Sequence, residues 1–164
     1  MSLFDKRLLV VAGKGGVGRT TVAAAFAAAA ARRGKRVLLA QTRSKERLSH
    51  LFGVASVGPE LSRMRDRVWA VNMTPTVALR EYGTMVLRSE FIAKQVLENK
   101  VSRAFLHAVP VIDDYSMLGK VWYHTTEEDE AGKPRWDLCI LDGPATGHLL
   151  SMLQIGRASC RERV

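Results

Sequence analysis

A glycine-rich segment near the start of the chain carries residue types that can bind a phosphate group. Residues 13–21 read GKGGVGRTT and lie between a short apolar run and a long alanine-rich stretch. The spacing fits the pattern G-x-x-x-x-G-K-[ST], except that Arg19 stands in place of the lysine. Amides at the start of the following helix would direct partial positive charge toward an anion. The segment therefore predicts a phosphate-binding loop, and the alternative is a glycine-rich turn that binds nothing.

The residue types of this loop predict separate roles within a nucleotide site. Thr20 would supply a hydroxyl ligand for Mg²⁺, and Thr21 could donate a hydrogen bond to a phosphate. Glycine tolerates positive φ and close approach to an anion, which we expect at the four loop glycines, Gly13, Gly15, Gly16 and Gly18. The residues predicted to contact the nucleotide are Gly13, Gly15, Gly16, Val17, Gly18, Arg19, Thr20 and Thr21.

A second group of candidate residues follows the last apolar run of the chain. Asp142 ends this run and precedes the segment GPATGH, residues 143–148. Ligands of open α/β folds bind at the carboxyl edge of the sheet, where a carboxylate can hold the Mg²⁺ shell through a water molecule. The glycine-rich turn after it could then sense a terminal phosphate. Taken alone, an Asp-Gly-Pro turn is more often a plain connection.

Alternating apolar and helical segments predict the elements that position these residues. The predicted strands are Arg7–Ala12, Arg36–Gln41, Val68–Met73 and Trp136–Asp142. The predicted helices are Thr20 to about Arg33, a turn at Leu48–Phe52, and a block from Pro75 to about His124 in which Pro110 ends one helix and Asp113 starts the next. This alternation predicts an α/β fold with a mostly parallel sheet, helices on both faces and a helical insertion between the third and fourth strands.

Composition restricts the class of protein. The 164 residues include 47% hydrophobic side chains, enough for one domain with a core. No apolar run reaches the roughly 18 residues of a membrane-spanning helix, and no signal peptide is evident. Cys139 and Cys160 do not make a disulfide framework, which predicts a cytoplasmic location. The net charge of +9 is scattered apart from the cluster at residues 32–36, so nucleic acid is not a predicted partner.

The last ten residues predict a non-native tail. Residues 155–164 read IGRASCRERV, and one codon reading, ATC GGA AGA GCG TCG TGT AGG GAA AGA GTG, looks like a sequencing-library adapter. We therefore expect residues 1–154 to be the N-terminal part of a longer P-loop domain, with a helical subdomain at about 75–124, and residues 155–164 to be adapter-derived. The alternative is a genuine short basic tail.

Two motifs together resemble a known group of proteins. GKGGVGRTT resembles the GKGGVGKTT loop of the deviant P-loop ATPases, which include ParA, MinD and nitrogenase-iron-protein relatives. Residues 142–148, DGPATGH, resemble the DTAPTGH switch of the arsenite-pump and tail-anchored-protein-targeting ATPases. The agreement continues through residues 149–155, and residues 108–113 resemble a turn in the helical region of that family.

The resemblance implies a homodimeric ATPase that uses ATP and Mg²⁺ and serves an unidentified protein client or membrane partner. Lys14 would be the signature lysine that reaches the partner's nucleotide, and Asp142 would act in the second switch. Thr20 would ligate Mg²⁺ directly and Asp142 through water. Two other functions stay open: a non-hydrolysing nucleotide-binding regulatory module, and a positioning ATPase similar to ParA or MinD.

Two departures from the family pattern bear on hydrolysis. Arg19 keeps the charge of the loop lysine, but its planar fork does not reproduce the compact ammonium contact. The family carries DPAHNLSDAFG where residues 43–53 read RSKERLSHLFG, so Arg43 occupies the position of the water-orienting aspartate. Glu46 lies nearby and is a candidate substitute. We predict that nucleotide binding survives while hydrolysis is slow or lost.

The sequence offers little for either client type that the family implies. A groove for apolar helices would be rich in methionine, and Met85 and Met117 are the candidates in the helical region, although such residues are more often core. An arsenite site needs clustered thiolates, and only Cys139 precedes the predicted tail.

Overall fold

The computed structural model describes residues 2–42, 46–87, 110–147 and 149–150, together with Gln95 and Asn99. The strands are β1 (Leu8–Gly13), β2 (Val37–Thr42), β3 (Ser62–Arg65), β4 (Val68–Met73) and β5 (Leu138–Ala145). The helices are α1 (Arg19–Arg32), α2 (Leu48–Phe52), α3 (Pro75–Leu87) and α4 (Pro110–Thr126), and a 3₁₀ turn (Leu3–Asp5) precedes β1. The predicted tail lies outside the described residues.

The five strands form one sheet in the order β1-β5-β2-β4-β3. The pairs β1–β5, β5–β2 and β2–β4 are parallel, and β3 at the edge runs antiparallel to β4. All six residues of β2 are buried, as expected for an apolar strand between two helical layers. The predicted α/β fold with a mostly parallel sheet is confirmed.

Helices cover both faces of this sheet. On one face, α1 packs through its alanines, of which Ala23, Ala27 and Ala30 are fully buried. Their small side chains let the helix lie close to β2 and β5. On the other face, Val121 of α4 packs with Leu38 and other core residues, and α3 packs against α4. Within the described residues, none of the helices is long and apolar enough to cross a membrane.

Strand β3 was not predicted from the sequence. Only Met64 of its four residues is buried, while Arg63 and Arg65 are exposed at the edge of the sheet. Because the exposed residues of this short edge strand are charged, its sequence shows no clear alternation of apolar and polar residues. Such charges protect an edge strand from pairing with other chains. Because β3 adds a strand, the helical insertion lies between the fourth and fifth strands rather than between the third and fourth.

Two predicted boundaries also differ from the structure. Helix α4 begins at Pro110, which we expected to break a helix, and not at Asp113. Proline is tolerated at the first helical position because the N–H that it lacks has no partner there. Strand β5 runs on to Ala145, so Gly143 lies within the strand and not in a turn after Asp142.

Candidate functional site

The glycine-rich loop joins β1 to α1 at the carboxyl edge of the sheet. Gly16 and Gly18 have φ of +83° and +85°, a conformation that favours glycine, and Gly18 is the N-cap of α1. The prediction of positive φ was wrong for Gly13 and Gly15. A side chain at Gly13 would be crowded for another reason, since its Cβ would lie 3.0 Å from Cγ2 of Val17, which would have to shift.

The backbone amides of this loop are available to a ligand. Residues 15–16 form a turn, and the N–H groups of residues 14–18 make no hydrogen bond of ordinary geometry with another described residue. Helix α1 has no side-chain cap at Gly18 and no acidic residue in its first turn, so its positive end is not neutralised locally. A row of free amides that leads into a helix N-terminus suits an anion such as phosphate.

Thr20 and Asp142 meet beside this row of amides. The Thr20 hydroxyl donates to Oδ2 of Asp142 over 2.6 Å. Asp142 is 3% exposed, and burial raises the pKa of its carboxyl, although the Thr20 hydrogen bond and the charge of Arg19 act in the opposite direction. Two residues at the end of β2 complete its surroundings: Nε2 of Gln41 lies 3.5 Å from Oδ2, and the Thr42 hydroxyl donates to the Asp142 carbonyl over 3.3 Å.

The donor groups at this position fit a magnesium ion. A hydroxyl, a carboxylate and an amide oxygen are the hard ligands that Mg²⁺ prefers. The amide oxygen, Oε1 of Gln41, is buried and has no hydrogen-bond partner. Among the described residues there is no cluster of three or more His, Cys, Asp or Glu side chains. A cation here would therefore draw its remaining ligands from bound phosphate and water.

Arg19 makes a second contact between α1 and β5. Its Nη1 donates to the carbonyl oxygen of Gly143 over 2.5 Å. This contact lies next to the hydrogen bond between Thr20 and Asp142. The first two residues of α1 therefore both bind to successive residues of β5. Arg19 thus occupies the loop-lysine position with its guanidinium directed at the backbone of the predicted switch.

A cleft of about 640 Å³ separates the loop and α1 from α2. The residues that line it are Gly16, Gly18, Arg19, Thr20, Thr21, Glu46, Arg47, His50 and Leu51. Five of the ten predicted site residues are therefore brought together in the cleft. Asp142 is buried behind Thr20, while Gly13, Lys14, Gly15 and Val17 do not line the cleft. Lys14 is exposed and forms no hydrogen bond or ion pair with another described residue.

Four polar residues of the site were missed from the sequence. Gln41 and Thr42 could have been found, because they end the apolar run of β2 and the carboxyl ends of parallel strands meet at one edge. Gln41 is the register partner of Asp142 in the adjacent strand. For Arg47 and His50 the available signal was the resemblance of residues 43–53 to the family segment that holds the water-orienting aspartate, although it does not say which side chains enter the cleft.

Glu46, the candidate substitute for the missing aspartate, is engaged elsewhere. The amide of Ser49 donates to Oε1 and the hydroxyl of Ser49 donates to Oε2, both over 2.8 Å. Partial burial raises the pKa of Glu46, but hydrogen bonds, first of all from the Ser49 amide, outweigh it and hold this pKa below its usual value. Glu46 therefore serves to fix the first turn of α2. Arg43 and His148 lie outside the described residues.

Of the three residues considered for clients, Cys139 and Met117 belong to the core, and the side chain of Met85 lies outside the described part of the chain. Cys139 lies in β5 and is buried, and burial raises the pKa of its thiol to about 12. It stays a neutral thiol at physiological pH, which is not the form that binds a metalloid. Met117 is also buried, so it packs the helical layer and does not line an open groove.

Sequence comparison identifies the family. The model of the anion-transporting ATPases matches residues 6–161. The chain belongs to this family. ATPase BagA of Mycobacterium tuberculosis is 26% identical over 157 residues, which cover 93% of this chain and 46% of that protein. ATPase GET3 of Kluyveromyces lactis is 27% identical, with 91% of this chain and 45% of that protein covered.

A third relative extends the comparison to pump ATPases. The putative arsenical pump-driving ATPase 2 of Aquifex aeolicus is 28% identical over 160 residues, which cover 92% of this chain and 50% of that protein. The chain thus spans about half the length of these anion-transporting ATPase relatives. The predicted resemblance to the arsenite-pump and targeting ATPases is confirmed.

Proposed function

We propose that this chain is the nucleotide-binding part of a cytoplasmic ATPase switch that binds ATP with Mg²⁺. In this proposal it pairs with a second copy of itself and acts on a protein client or a membrane partner. The hydrogen bond of 2.6 Å between Thr20 and Asp142, at the end of a row of free amides, is the observation that carries the proposal. Relatives named ATPase GET3 and arsenical pump-driving ATPase support it.

Each part of the site has a role in this proposal. The loop amides and Arg19 hold the phosphates, Thr20 ligates the metal, and Asp142 accepts a hydrogen bond from a water of its shell. Bound Mg²⁺ supplies positive charge that offsets the charge on the phosphate oxygens. Arg19 contacts the Gly143 carbonyl through Nη1 alone, so a phosphate held by the rest of its guanidinium would link nucleotide binding to β5. Lys14, which is exposed, is left to contribute its charge to the nucleotide of a partner copy.

A second candidate function is a nucleotide-binding regulator that does not hydrolyse ATP. The observation that favours it is the engagement of both Glu46 oxygens by Ser49. Since Arg43 stands at the position of the family's water-orienting aspartate, the described part of the cleft offers no unengaged carboxylate for that task. Turnover separates the two functions, because both require nucleotide binding.

The proposal predicts that Thr20→Val weakens ATP binding only when the metal is present. Valine has nearly the same shape as threonine, so the exchange removes the hydroxyl, and with it the hydrogen bond to Asp142, without changing the packing volume. We expect an affinity loss of about tenfold with Mg²⁺, the effect of one metal or charged hydrogen-bond contact, and almost none with EDTA. Isothermal titration calorimetry in both buffers measures this difference.

Thr21→Val is the matched control for this experiment. Thr21 is predicted to contact a phosphate and not the metal, so its loss should weaken binding equally in both buffers. An equal loss in both buffers for Thr20→Val, or no loss at all, would contradict the metal-ligand role of Thr20.

A further inference from the structure

Helix α2 turns a basic side toward the cleft, which the roles proposed above do not use. Leu48 is fully buried and Phe52 is 6% exposed, and these two side chains fix the helix on the core. Arg47 is the N-cap of this helix and His50 lies in its first turn. Both are exposed and line the cleft opposite the start of α1.

The donors on this side of α2 are not taken up by the described part of the protein, although Glu46 brings one negative charge to the lining. Neither Arg47 nor His50 forms a hydrogen bond or an ion pair with another residue in the part of the chain that the structure describes. Glu46 is the acidic member of the lining, and both of its oxygens already accept hydrogen bonds from Ser49. Arg47 therefore keeps all of its donors available to a ligand.

The opposite wall of the cleft also offers hydrogen-bond donors. It consists of the free loop amides, the N-terminus of α1 and the guanidinium of Arg19. Asp142 places one negative charge behind Thr20 and interacts with Arg19, so the free amides and the helix N-terminus are what this wall offers to an anion. A volume of about 640 Å³ is within the range of small-molecule and cofactor sites. Hydrogen-bond donors on both walls of such a volume suit a ligand with several phosphate oxygens.

We propose that Arg47 and His50 bind the phosphate groups of the ligand from the α2 side, opposite the glycine-rich loop. This inference rests on the proposed nucleotide site and adds a second set of phosphate ligands to it. The ligand class is a nucleoside triphosphate or another polyphosphate. Arg47 can donate two parallel hydrogen bonds to phosphate oxygens, and His50 can donate one from its ring.

The test compares Arg47→Ala with the wild-type chain in titrations with ATP and with inorganic tripolyphosphate. We expect the variant to bind both probes about tenfold more weakly, which is the effect of losing one charge-assisted contact. Arg47→Lys should recover part of the affinity, because it keeps the charge and loses the fork. Arg47 is exposed, so the melting temperature of the ligand-free protein should not change.

Arg32→Ala is the matched control, since it removes the same charge from an exposed arginine at the other end of α1. Its affinity should stay within twofold of the wild type, which separates a local contact from a general effect of net charge. Equal affinities of Arg47→Ala and Arg32→Ala would overturn the inference while the proposed function stands. A loss seen with ATP but not with tripolyphosphate would also overturn it. A wild-type chain that binds neither probe would overturn both.

Discussion

Replacing Asp142 with asparagine is expected to stabilise the ligand-free protein. Burial raises the pKa of this carboxyl above its ordinary value of 3.8, so the ionised form is less favourable in the folded than in the unfolded state. Wild-type stability should therefore fall as the pH rises from 3.8 to the raised folded pKa, and stay lower above it. Asparagine does not titrate, so we expect a higher melting temperature than that of the wild type at pH 7 and a smaller difference at pH 4.

The same substitution should weaken the binding of ATP with Mg²⁺. Asparagine keeps an oxygen that can accept the Thr20 hydroxyl, but it lacks the charge that holds the water shell of the metal. Loss of a partner in the outer shell costs about 10- to 100-fold in metal affinity. Calorimetric melting at pH 4 and pH 7, followed by titration with Mg²⁺ and ATP, measures both effects on one variant.

Asp137→Asn is the control, because Asp137 lies just before β5 at the far end of the sheet from the cleft. Its carboxylate accepts the Arg36 amide over 2.6 Å. Asparagine can still accept this amide, but it loses the charge that pairs with Nε of Arg36 at 3.8 Å. We therefore expect a small loss of stability and an unchanged ATP affinity, the opposite of the Asp142→Asn result in both measurements. A destabilised Asp142→Asn variant with wild-type affinity for ATP and Mg²⁺ would contradict the role given to this carboxylate.

The second large effect is expected in turnover. The double variant with Arg19→Lys and Arg43→Asp should hydrolyse ATP at least about 100-fold faster than the wild-type chain at saturating ATP and Mg²⁺, because it restores groups that stabilise the transition state and orient water. Arg19 now donates to the Gly143 carbonyl, and lysine offers a compact charge at the same position. A phosphate-release assay measures the rate.

The single variants show how much each substitution contributes to the increase in ATP turnover. Arg43→Asp alone should supply most of the increase if a water-orienting carboxylate is what the wild-type chain lacks. Glu46→Gln is the matched control, since the structure commits Glu46 to Ser49, and it should leave wild-type turnover unchanged. Wild-type turnover equal to that of the double variant would refute the prediction of impaired hydrolysis.

The fold was predictable because its signals are local. Residues 13–21 specify a turn between strand and helix, and the apolar run of β2 specifies a buried strand. Strand β3 was missed because its exposed arginines hide the alternation. The start of α4 was missed because Pro110 can open a helix as well as end one.

The candidate site was predictable where motif spacing decides the geometry. Thr20 and Asp142 are separated by most of the chain, yet the parallel sheet brings them within a hydrogen bond. Arg47 and His50 could not be found in this way, because they reach the cleft only through the packing of Leu48 and Phe52 against the core. Such long-range packing leaves no periodic mark in the sequence.

Amide hydrogen exchange tests most directly whether the cleft is a nucleotide site. The amides of residues 14–18 have no partner within the described chain and should exchange rapidly in the ligand-free protein. Adding ATP and Mg²⁺ should slow exchange at residues 13–21 by about tenfold or more, since a bound phosphate engages these N–H groups. The β3–β4 hairpin, residues 62–73, should not change. Unaltered exchange at residues 13–21 under saturating ATP and Mg²⁺ would contradict the account.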